Sequence, residues 1–408
     1  MKILQVGGAV RDSLLGLPVN DIDYVVVNSS EQELLSLGFS KVGADFPVFL
    51  HPITKEEYAL PRIERSTGNG YNDFEVITEG VTLEQDLGRR DLTINSIAKW
   101  TDVERDKVIY FDPFNGRKDL ENGILRHTTI AFVEDPVRVL RIARFAARYG
   151  FTIADETKEL IAHMIIKGML DSLTAERIFK EVEKVLKLDK PWVFFETLDD
   201  LGALEVLFPE LWKLKGQTQP EHWHPEGDAF VHTMFVLKEA AEFTDDVVVR
   251  FAALVHDLGK GLTKQEDLPK HYGHEASGVP LVEQLCDRLK TPTEFKKVGV
   301  MTSREHLNIH NWNKLNPKTI VKIFERCDAF RNSSIFEKML IASVCDANGR
   351  GPTIEKVSFQ KVNDIMLLLE QVKRTNITSL VEKKFTGEKM RSEVQRARVN
   401  NCKNLLTR

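Results

Sequence analysis

The sequence predicts an α+β protein, with a mixed sheet in the N-terminal part and helices through the remainder. Short apolar runs separated by turn residues, which are typical of strands, are confined to about the first 130 of the 408 residues. Beyond that point apolar residues recur at helical spacing, and Asp135-Pro136 has the form of a helix start. A chain of this length is expected to hold about two to four domains.

The composition is ordinary for a soluble globular protein, with 42% hydrophobic and 29% charged residues. The net charge of −5 argues against a broadly basic coat, so a nucleic-acid partner would have to meet a local positive surface. No apolar run approaches the roughly 20 residues needed to cross a bilayer. The four cysteines lack paired metal spacing, and Met1 leads directly into a predicted strand without room for a signal peptide. We therefore expect a cytoplasmic protein with no membrane partner.

The first predicted strand ends at a pair of glycines. Gly7 and Gly8 carry no Cβ atom, so a phosphate chain can approach the backbone there. Arg11 can then bind phosphate oxygens through both arms of its guanidinium group. A Gly-Gly turn on its own would more often be a plain tight turn, so this interpretation depends on the motif that follows.

Two aspartates, Asp21 and Asp23, stand at the head of the second apolar run. Side chains alternate along a strand, so both carboxylates are predicted to point the same way. Hard oxygen ligands suit Mg²⁺, which also binds substrate phosphates. Together with the glycine turn, the pair predicts phosphate transfer from a nucleotide rather than an acidic β-bulge.

Further elements complete the predicted sheet and its loops. Val48–Leu50 and Glu57–Leu60 predict a hairpin, and Val108–Phe111 predicts another strand. The polar loop 66–73 is either a plain surface connection or a flap over a bound substrate. Arg90 follows another arginine, which favours a second clamp on a triphosphate over a solvated helix start.

Asp135 and Arg138 lie three residues apart at the predicted helix start, with Arg141 one turn further. An ordinary ion pair on a solvated helix face is the common interpretation of this spacing. The alternative is a base-reading site, because a carboxylate beside a guanidinium offers an acceptor next to donors. That order matches the Watson–Crick edges of adenine and cytosine, whereas guanine and uracil would leave buried polar groups unpaired.

The histidines are concentrated in one region, with eight of the eleven between residues 222 and 310. His256 and Asp257 are adjacent in a predicted apolar helix, which is costly unless both groups are ligated or paired. Imidazole and carboxylate together suit a divalent transition metal that hydrolyses phosphoesters. This pattern favours a metal site that includes His232 over a helical bundle with interface histidines. Asp346 is a candidate remote ligand, and its segment equally fits a helix C-terminal turn.

The segment 351–408 is predicted to be helical and basic. A solvated helix face is the default interpretation of such a charge run, and a contact with an RNA backbone is the alternative.

In their order along the chain, these motifs resemble those of the class II tRNA nucleotidyltransferases, the CCA-adding enzymes. The His-Asp region resembles an HD phosphohydrolase domain, and the combination is similar to a multifunctional gamma-proteobacterial group of these enzymes. The resemblance covers essentially the whole chain. The motifs that carry it are Gly7-Gly8 with Arg11-Asp12, Asp21-x-Asp23, Arg89–Asn95, Glu134-Asp135-x-x-Arg138 and His256-Asp257.

The resemblance implies a nucleotidyltransferase head at 1–130, a nucleotide-selecting and tRNA-binding neck at 131–220, an HD domain at 221–350 and a helical tail at 351–408. It implies template-independent addition and repair of the tRNA 3′ CCA end with CTP and ATP. The HD domain implies 2′,3′-cyclic phosphodiesterase, 2′-nucleotidase and phosphatase activities. The expected cofactors are Mg²⁺ in the head and a divalent transition metal, with Ni²⁺ as a candidate, in the HD domain. We expect a monomer or a weak homo-oligomer.

The motifs and the resemblance together assign residues to roles. Catalytic roles are expected for Asp21, Asp23, His256 and Asp257. Nucleotide binding is expected for Gly8, Arg11, Arg90, Glu134, Asp135, Arg138 and Arg141. Metal binding is expected for Asp21, Asp23, His232, His256, Asp257 and Asp346. Two points stay open: Glu57 is a weak candidate for a third carboxylate, and His274, His306 or Asp346 would complete the HD ligand set.

Three other functions are compatible with parts of this pattern. A bacterial poly(A) polymerase shares the head motifs, but the intact metal-type HD region argues against it. A protein-modifying uridylyltransferase would need a long C-terminal sensor region. A catalytically inactive tRNA-binding module is disfavoured by the intact aspartate pair.

Overall fold

The computed structural model describes residues 1–19, 21–42, 48–66, 74–102, 104–351, 355–378 and 385–407. The chain divides into two compact units, one of residues 1–174 with 200–206 and the other of residues 175–199 with 207–408. Most of the candidate flap, residues 67–73, lies outside the described residues.

The strands belong to the first unit. They are β1 (Lys2–Val6), β2 (Asp23–Val27), β3 (Ser40–Val42), β4 (Val48–Leu50), β5 (Glu57–Ala59), β6 (Ile63–Ser66), β7 (Phe74–Ile77), β8 (Ala98–Asp102), β9 (Lys107–Phe111), β10 (Ile124–Leu125) and β11 (Thr152–Ile153). Seven of them form one mixed sheet in the order β3-β4-β5-β2-β1-β8-β9. The predicted hairpin is confirmed, since β4 and β5 pair antiparallel. β2 and β5 pair in parallel, with Asp23 opposite Glu57.

Helices account for most of the remaining described chain. They are α1 (Gly8–Leu14), α2 (Glu31–Ser36), α3 (Leu83–Gly88), α4 (Gly116–Asn122), α5 (Val137–Tyr149), α6 (Asp155–Ile166), α7 (Ala175–Leu186), α8 (Trp192–Asp200), α9 (Leu204–Leu207), α10 (Pro209–Trp212), α11 (Ala229–Phe243), α12 (Val247–Val255), α13 (His274–Arg288), α14 (Thr293–His310), α15 (Pro317–Arg326), α16 (Ser333–Asn348), α17 (Gln360–Lys373) and α18 (Gly387–Leu406). Short 3-10 helices cover Thr93–Asn95, Ile130–Glu134, Met169–Ser172, Leu258–Leu262, Gln265–Asp267 and Trp312–Lys314.

Both faces of the seven-stranded sheet are covered. The adjacent residues Val25 and Val26 of β2 are buried in different apolar clusters, the first with Leu4 and Leu87 and the second with Phe49. Because successive side chains of a strand point to opposite faces, the two clusters lie on the two sides of the sheet. Asp23 occupies the first position of β2, where the strand leaves this core and its side chain is exposed.

The α+β prediction is confirmed, with one local difference in the region expected to be all-helical. Gly150 ends α5 in the left-handed conformation, with φ of 69°. The chain then turns back, and β11 pairs in parallel with β10. Ile153 is buried by this pairing. A two-residue strand is too short to leave a periodic pattern in the sequence.

The centre of the second unit is the apolar helix α12, in which every residue from Val248 to Val255 is buried. Helices α11, α14 and α16 pack against it. His256 and Asp257 were predicted inside this helix, and that placement is wrong: α12 ends at Val255 and both residues follow it. Asp257 then leads into the 3-10 helix Leu258–Leu262. Because the helix ends before them, the two polar side chains do not have to lie on the apolar surface of α12.

Among the described residues, none of the helices combines the length and the apolar character required to span a membrane. The four cysteines are free thiols and all of them are buried.

Candidate active sites

The glycine turn packs against an arginine beside Asp23. Gly7 has a φ of 73°, in the left-handed region that favours glycine. A Cβ atom at this position would lie 2.7 Å from Nη1 of Arg90 and 3.8 Å from Oδ2 of Asp23. A larger residue would therefore displace the guanidinium group from the carboxylate. Gly8, the first residue of α1, is less restricted, because its nearest neighbour would be Arg11 at 3.4 Å.

Three carboxylates lie at the same end of β2. Asp23 is its first residue, Glu57 stands opposite on β5, and Asp21 precedes the strand by two residues. The prediction that Asp21 and Asp23 point the same way relied on the alternation of side chains along a strand. That rule does not apply to Asp21, which lies outside β2. Although Asp23 is exposed, the protein atoms around its carboxylate displace water and raise its pKa; Arg90 opposes this shift, and the charge of Asp21 adds to it. The two aspartates are thus close enough to interact electrostatically.

Carboxylates and guanidinium groups share one cavity of about 250 Å³. Its charged lining consists of Asp23, Glu57, Arg62, Arg89 and Arg90. Carboxylate oxygens are hard ligands for a divalent cation, and guanidinium groups bind phosphate oxygens. A cavity that combines them can hold a cation and a polyphosphate together. Arg11 is not among the described residues that line it.

Asp86 holds the arginines of this cavity in place. Its side chain is fully buried, and its oxygens lie 3.0 Å from Nη2 of Arg89 and 3.4 Å from Nη2 of Arg90. It also accepts a hydrogen bond from the backbone N–H of Arg62 at 3.2 Å. Burial opposes ionisation, but the two arginines outweigh it and lower the pKa of Asp86. This role of Asp86 could not be predicted from the sequence, because a buried carboxylate in a short helix has no motif of its own.

Arg11 lies in a buried network rather than at the carboxylate cavity. It is 5% exposed, and its Nη1 donates to Oδ1 of Asn95 at 2.5 Å. Asn95 in turn donates to Asp91 at 2.8 Å, and Nη2 of Arg141 lies 2.7 Å from Asp91. Despite complete burial, Arg141 and Asn95 lower the pKa of Asp91 well below its usual range. Two arginines predicted to bind nucleotide are therefore linked to each other through Asn95 and Asp91.

The backbone fixes both members of the predicted base-reading pair. The carboxylate of Asp135 accepts the N–H of Val137, the first residue of α5, at 3.1 Å. The predicted helix start, with Asp135 as N-cap and Pro136 as the first helical residue, is one residue too early, because Pro136 is the N-cap. Arg138 donates to the carbonyl oxygens of Ala131 and Arg89, each at 2.7 Å. Arg138 is thus held by the carbonyl oxygen of Arg89, the residue directly before Arg90. The segment Arg89-Arg90 therefore both holds Arg138 and carries Arg90. Glu134 lines a neighbouring cavity of about 500 Å³.

The second unit brings the four predicted metal ligands together. Nε2 of His232 lies 3.1 Å from Oδ1 of Asp346, and Nε2 of His256 lies 3.5 Å from the same oxygen. Oδ2 of Asp257 lies 3.1 Å from Nε2 of His256. All four side chains are at most 2% exposed. Asp346 lies in the last turn of α16, which confirms the interpretation of its segment as a helix C-terminal turn.

His274 and His306 gather on the other oxygen of Asp257. Their Nε2 atoms lie 3.3 and 3.6 Å from Oδ1 of that carboxylate. They therefore belong to the same polar centre as the predicted ligands, although they do not face the same oxygen.

Burial and charge set opposite protonation preferences within this centre. Burial disfavours protonation of His256, but Asp257 and Asp346 outweigh it and raise the pKa of His256 to about 10. Burial dominates at His306 and lowers its pKa to about 3. Around His256 the site therefore favours positive charge, which a divalent cation can supply in place of a proton.

Several residues that support this centre were missed by sequence reasoning. Glu226 accepts from Nδ1 of His224 at 2.9 Å and lies 2.8 Å from Nδ1 of His232. Lys260 lies 2.5 Å from Oδ2 of Asp257, and His310 lies 2.9 Å from Oδ2 of Asp346. The density of histidines was a signal for His224 and His310, whereas Glu226 and Lys260 resemble ordinary surface charges in the sequence.

Comparison with known proteins places these two sites in familiar domains. A family model described as the poly A polymerase head domain matches residues 3–126. A model described as a probable RNA and SrmB binding site of polymerase A matches residues 150–215, and an HD domain model matches residues 229–333. A curated relative, the multifunctional CCA protein of Shewanella denitrificans, is 47% identical over 403 residues, which cover 98% of this chain and 96% of the relative.

The chain belongs to the multifunctional CCA protein family. This confirms the resemblance drawn from the motifs. In this family member the segment with Asp135 and Arg138 lies between two matched stretches, and Asp346 lies beyond the HD match. The fold supplies those residues even where the domain models end.

Solved structures agree at the level of the fold. A CCA-adding enzyme in complex with ATP matches with a TM-score of 0.64 and 19% identity, over 98% of this chain and 85% of that chain. A CCA-adding enzyme in complex with CTP matches with a TM-score of 0.61 and 20% identity, over 98% and 87% of the two chains.

Proposed function

We propose that this member of the family adds C, C and A to the 3′ end of tRNA, using CTP and ATP without a nucleic-acid template. The observation that carries the proposal is the cavity in which Asp23 and Glu57 face Arg89 and Arg90. The 47% identity to a multifunctional CCA protein supports it. The residue boundaries given above for head, neck, HD domain and tail are part of the proposal.

In the proposed reaction, the 3′-hydroxyl oxygen of tRNA attacks the α-phosphorus of CTP or ATP. A new phosphodiester bond forms, the bond from the α-phosphorus to its bridging oxygen breaks, and pyrophosphate leaves. Asp21 and Asp23 would hold Mg²⁺, an ion that orients a triphosphate and activates the attacking hydroxyl. Their hard oxygen donors fit that ion, and Glu57, which stands opposite Asp23 on β5, would add a third.

The positive side of the cavity has a separate role. Arg90 lies beside Asp23 and would stabilise the charge that develops on the leaving pyrophosphate. Asp86 would keep this guanidinium in position when the cavity is empty of nucleotide. Arg11 and Arg141, which are joined through Asn95 and Asp91, would support the nucleotide site from behind rather than contact phosphate first.

Base choice would come from the segment around Asp135. Its carboxylate beside Arg138 offers an acceptor next to donors, in the order that adenine and cytosine require. The backbone bonds that fix both side chains would make this order rigid. Guanine and uracil would place a donor against a donor and an acceptor against an acceptor. The hydrogen bonds lost in this way are costly, because the groups involved would be buried.

An incorporation assay tests the proposal directly. The protein is incubated with tRNA that lacks its 3′ CCA end and with each labelled nucleotide in turn. Ordered addition of two C residues and one A is expected. Exclusive use of ATP would instead support a poly(A) polymerase, and tRNA binding without incorporation would support an inactive binding module.

We further propose that the second unit hydrolyses phosphoesters, including 2′,3′-cyclic phosphodiesters, 2′-nucleotides and phosphate monoesters. His232, His256, Asp257 and Asp346 would hold a divalent transition metal, with Ni²⁺ as a candidate. Such an ion polarises a phosphoryl oxygen and activates water. The fit rests on donor chemistry, because buried imidazole and carboxylate atoms converge within 3.5 Å of their nearest neighbours. Hydrolysis of a 2′,3′-cyclic nucleotide that a chelator abolishes and added metal restores is the expected result.

A further inference from the structure

One side of helix α5 carries a row of residues that bind other elements of the first unit. Arg138, Arg141, Phe145 and Tyr149 follow one another at intervals of three and four residues, so they lie on the same side of the helix. The proposed base-reading pair, Asp135 and Arg138, stands at one end of this row, and Tyr149 stands at the other. The 13 residues of α5 span about 20 Å. Because a helix is stiff over this length, a contact at one end helps to set the orientation of the other.

Tyr149, the last residue of α5, binds a carboxylate of helix α1. Its hydroxyl donates to Oδ1 of Asp12 at 2.9 Å, although the two residues are 137 positions apart in the chain. Nη2 of Arg148 lies 3.4 Å from Oδ2 of the same carboxylate. Asp12 belongs to α1, the helix that follows the glycine turn. The C-terminal end of α5 is thus attached to the helix that begins at this turn.

The same carboxylate also holds Arg11. Oδ1 of Asp12 accepts from Nε of Arg11 at 2.8 Å and lies 2.8 Å from its Nη2, and the Asp12 side chain is 13% exposed. Burial opposes ionisation, but Arg11, Tyr149 and Arg148 outweigh it and lower the pKa of Asp12. Hydrogen bonds to a charged group are stronger than those between neutral groups, so the ionised carboxylate is a firm anchor for all three side chains.

Two aromatic rings of α5 pack on the guanidinium group of Arg11. Its Cζ atom lies 5.1 Å from the ring centroid of Phe145 and 5.2 Å from that of Tyr149. The two rings are stacked, with their centroids 5.9 Å apart. A guanidinium group at these distances is attracted to the ring faces. Tyr149 therefore contacts the Asp12–Arg11 pair through both its hydroxyl and its ring.

Two connections between α5 and α1 consequently meet at Arg11. The first begins at Arg141 and passes through the buried network described above. The second begins at Tyr149 and passes through Asp12. A helix attached at two points along its length cannot tilt against α1 unless one of the connections breaks.

We infer that Tyr149 and Asp12 are positioning residues for nucleotide selection. By fixing the tilt of α5, the hydrogen bond between them places the base-reading pair correctly for a nucleotide whose triphosphate lies at the glycine turn. The inference rests on the proposed nucleotide addition and gives a role in base choice to the far end of α5. Among the described residues that line the carboxylate cavity, neither Tyr149 nor Asp12 is found, so both act through other side chains.

Tyr149→Phe tests this inference, because it keeps the ring and removes only the hydroxyl. Incorporation of CTP and of UTP into tRNA without its CCA end is measured, and the ratio of the two kcat/KM values is compared with that of wild type. We expect this ratio to fall about tenfold, since discrimination depends on hydrogen bonds that must be correctly aligned. A purely structural role would reduce the amount of folded protein, which lowers both kcat/KM values equally and leaves the ratio unchanged. Asp12→Asn should shift the ratio in the same direction.

Tyr110→Phe is the matched control, because Tyr110 lies on the edge strand β9 and its variant should retain the wild-type ratio. An unchanged ratio in active Tyr149→Phe protein would overturn the inference and leave the proposed nucleotide addition standing. Absence of incorporation by wild-type protein would overturn the proposed function itself.

A double-mutant cycle tests whether Tyr149 acts through the base-reading pair. In protein that already carries Asp135→Ala, adding Tyr149→Phe should change the CTP to UTP ratio less than about twofold, because the residue to be positioned is gone. A full tenfold effect in both backgrounds would show that Tyr149 acts independently of Asp135 and would overturn the inference.

Discussion

The two candidate sites of this chain handle charge in opposite ways. In the head, Asp21 and Asp23 are exposed beside a cavity lined by arginines. In the second unit, Asp257 and Asp346 are 1% and 2% exposed and surrounded by histidines. The cavity in the head has room for a large anion such as a polyphosphate, whose negative charge would balance the arginines. In the second unit the charged side chains already contact one another before a substrate binds.

This difference suggests a difference in how the sites assemble. Oxygen ligands in a solvated cavity bind Mg²⁺ weakly until substrate phosphates complete the coordination. Buried imidazole and carboxylate groups bind a transition metal directly and gain stability from it. We therefore expect metal to stabilise the second unit without substrate, and the head only together with a nucleotide.

The largest expected effect is a reciprocal loss of activity. Replacing Asp257 by Asn should lower phosphodiester hydrolysis about a thousandfold, because the metal ion it would help to hold supplies several kcal/mol to the transition state. Nucleotide incorporation should stay within about twofold of wild type. Asp23→Asn should do the reverse, and both activities are measured on the same preparations.

Loss of both activities in either variant would show that the two sites are not independent. Thermal unfolding of each variant provides the folding control, since neither change should prevent the other unit from melting cooperatively.

Asp135→Ala should have the next largest effect, on base choice rather than on rate. Removing a charged hydrogen-bonding partner costs about 1.5–3 kcal/mol, so discrimination against UTP and GTP should fall by roughly 10- to 100-fold. Incorporation of all four nucleotides is compared at equal concentrations. Because the Asp135 carboxylate also accepts the N–H of Val137, Asp135→Ser is the control: it keeps a side-chain oxygen for that hydrogen bond and should show the same relaxation. Unchanged preference for CTP and ATP in both variants would exclude this base-reading role.

Asp86→Asn should have a smaller effect, on nucleotide binding. Loss of its charge releases Arg89 and Arg90 from a fully buried partner. We expect kcat/KM for CTP to fall about tenfold, because Arg89 and Arg90 remain present but are less ordered for binding the triphosphate and for stabilising the leaving pyrophosphate. Steady-state kinetics measure this ratio. An unchanged kcat/KM would mean that Asp86 does not act by positioning the arginines.

The smallest expected effect is on how the folding stability of the metal-free protein depends on pH. Burial lowers the pKa of His306 to about 3 and that of His224 to about 4, from 6.5. Depressed values mean that the unfolded state binds these protons first, so stability falls as pH drops below about 6.5. In the head, burial also lowers the pKa of His127, but by less, and the pKa values of Asp86 and Asp91 lie below 3.8. We therefore expect the head to lose less stability between about pH 6.5 and pH 4. Hydrogen exchange at pH 5 should show earlier opening of the second unit, and earlier opening of the head would contradict these assignments.

Sequence reasoning reached the residues whose signals are local. Gly7, the aspartate pair and the adjacent His256 and Asp257 were all found because neighbours along the chain reveal them. Strand alternation could not place Asp21, since the strand begins at Asp23. Nor could a motif have revealed the contact between Glu226 and His232.

Long-range packing determines the contacts that the motifs do not specify. Arg11 reaches Asn95 across 84 residues, and its side chain is buried. Asp346 was named from the sequence as a candidate ligand, but its contact with His232 across 114 residues comes from the fold. Such pairs depend on how helices and strands pack, and that arrangement is not encoded by the spacing of residues within a motif.

The central claim is that one chain carries two separate phosphoryl chemistries that act in order on a tRNA end. The most direct test uses a tRNA that lacks CCA and ends in a 2′,3′-cyclic phosphate. Wild-type protein with CTP and ATP should open the end, remove the phosphate and then extend it. Asp23→Asn should open the end without extending it, and Asp257→Asn should extend only tRNA that already has free hydroxyls. Extension of the blocked tRNA by Asp257→Asn would contradict the claim.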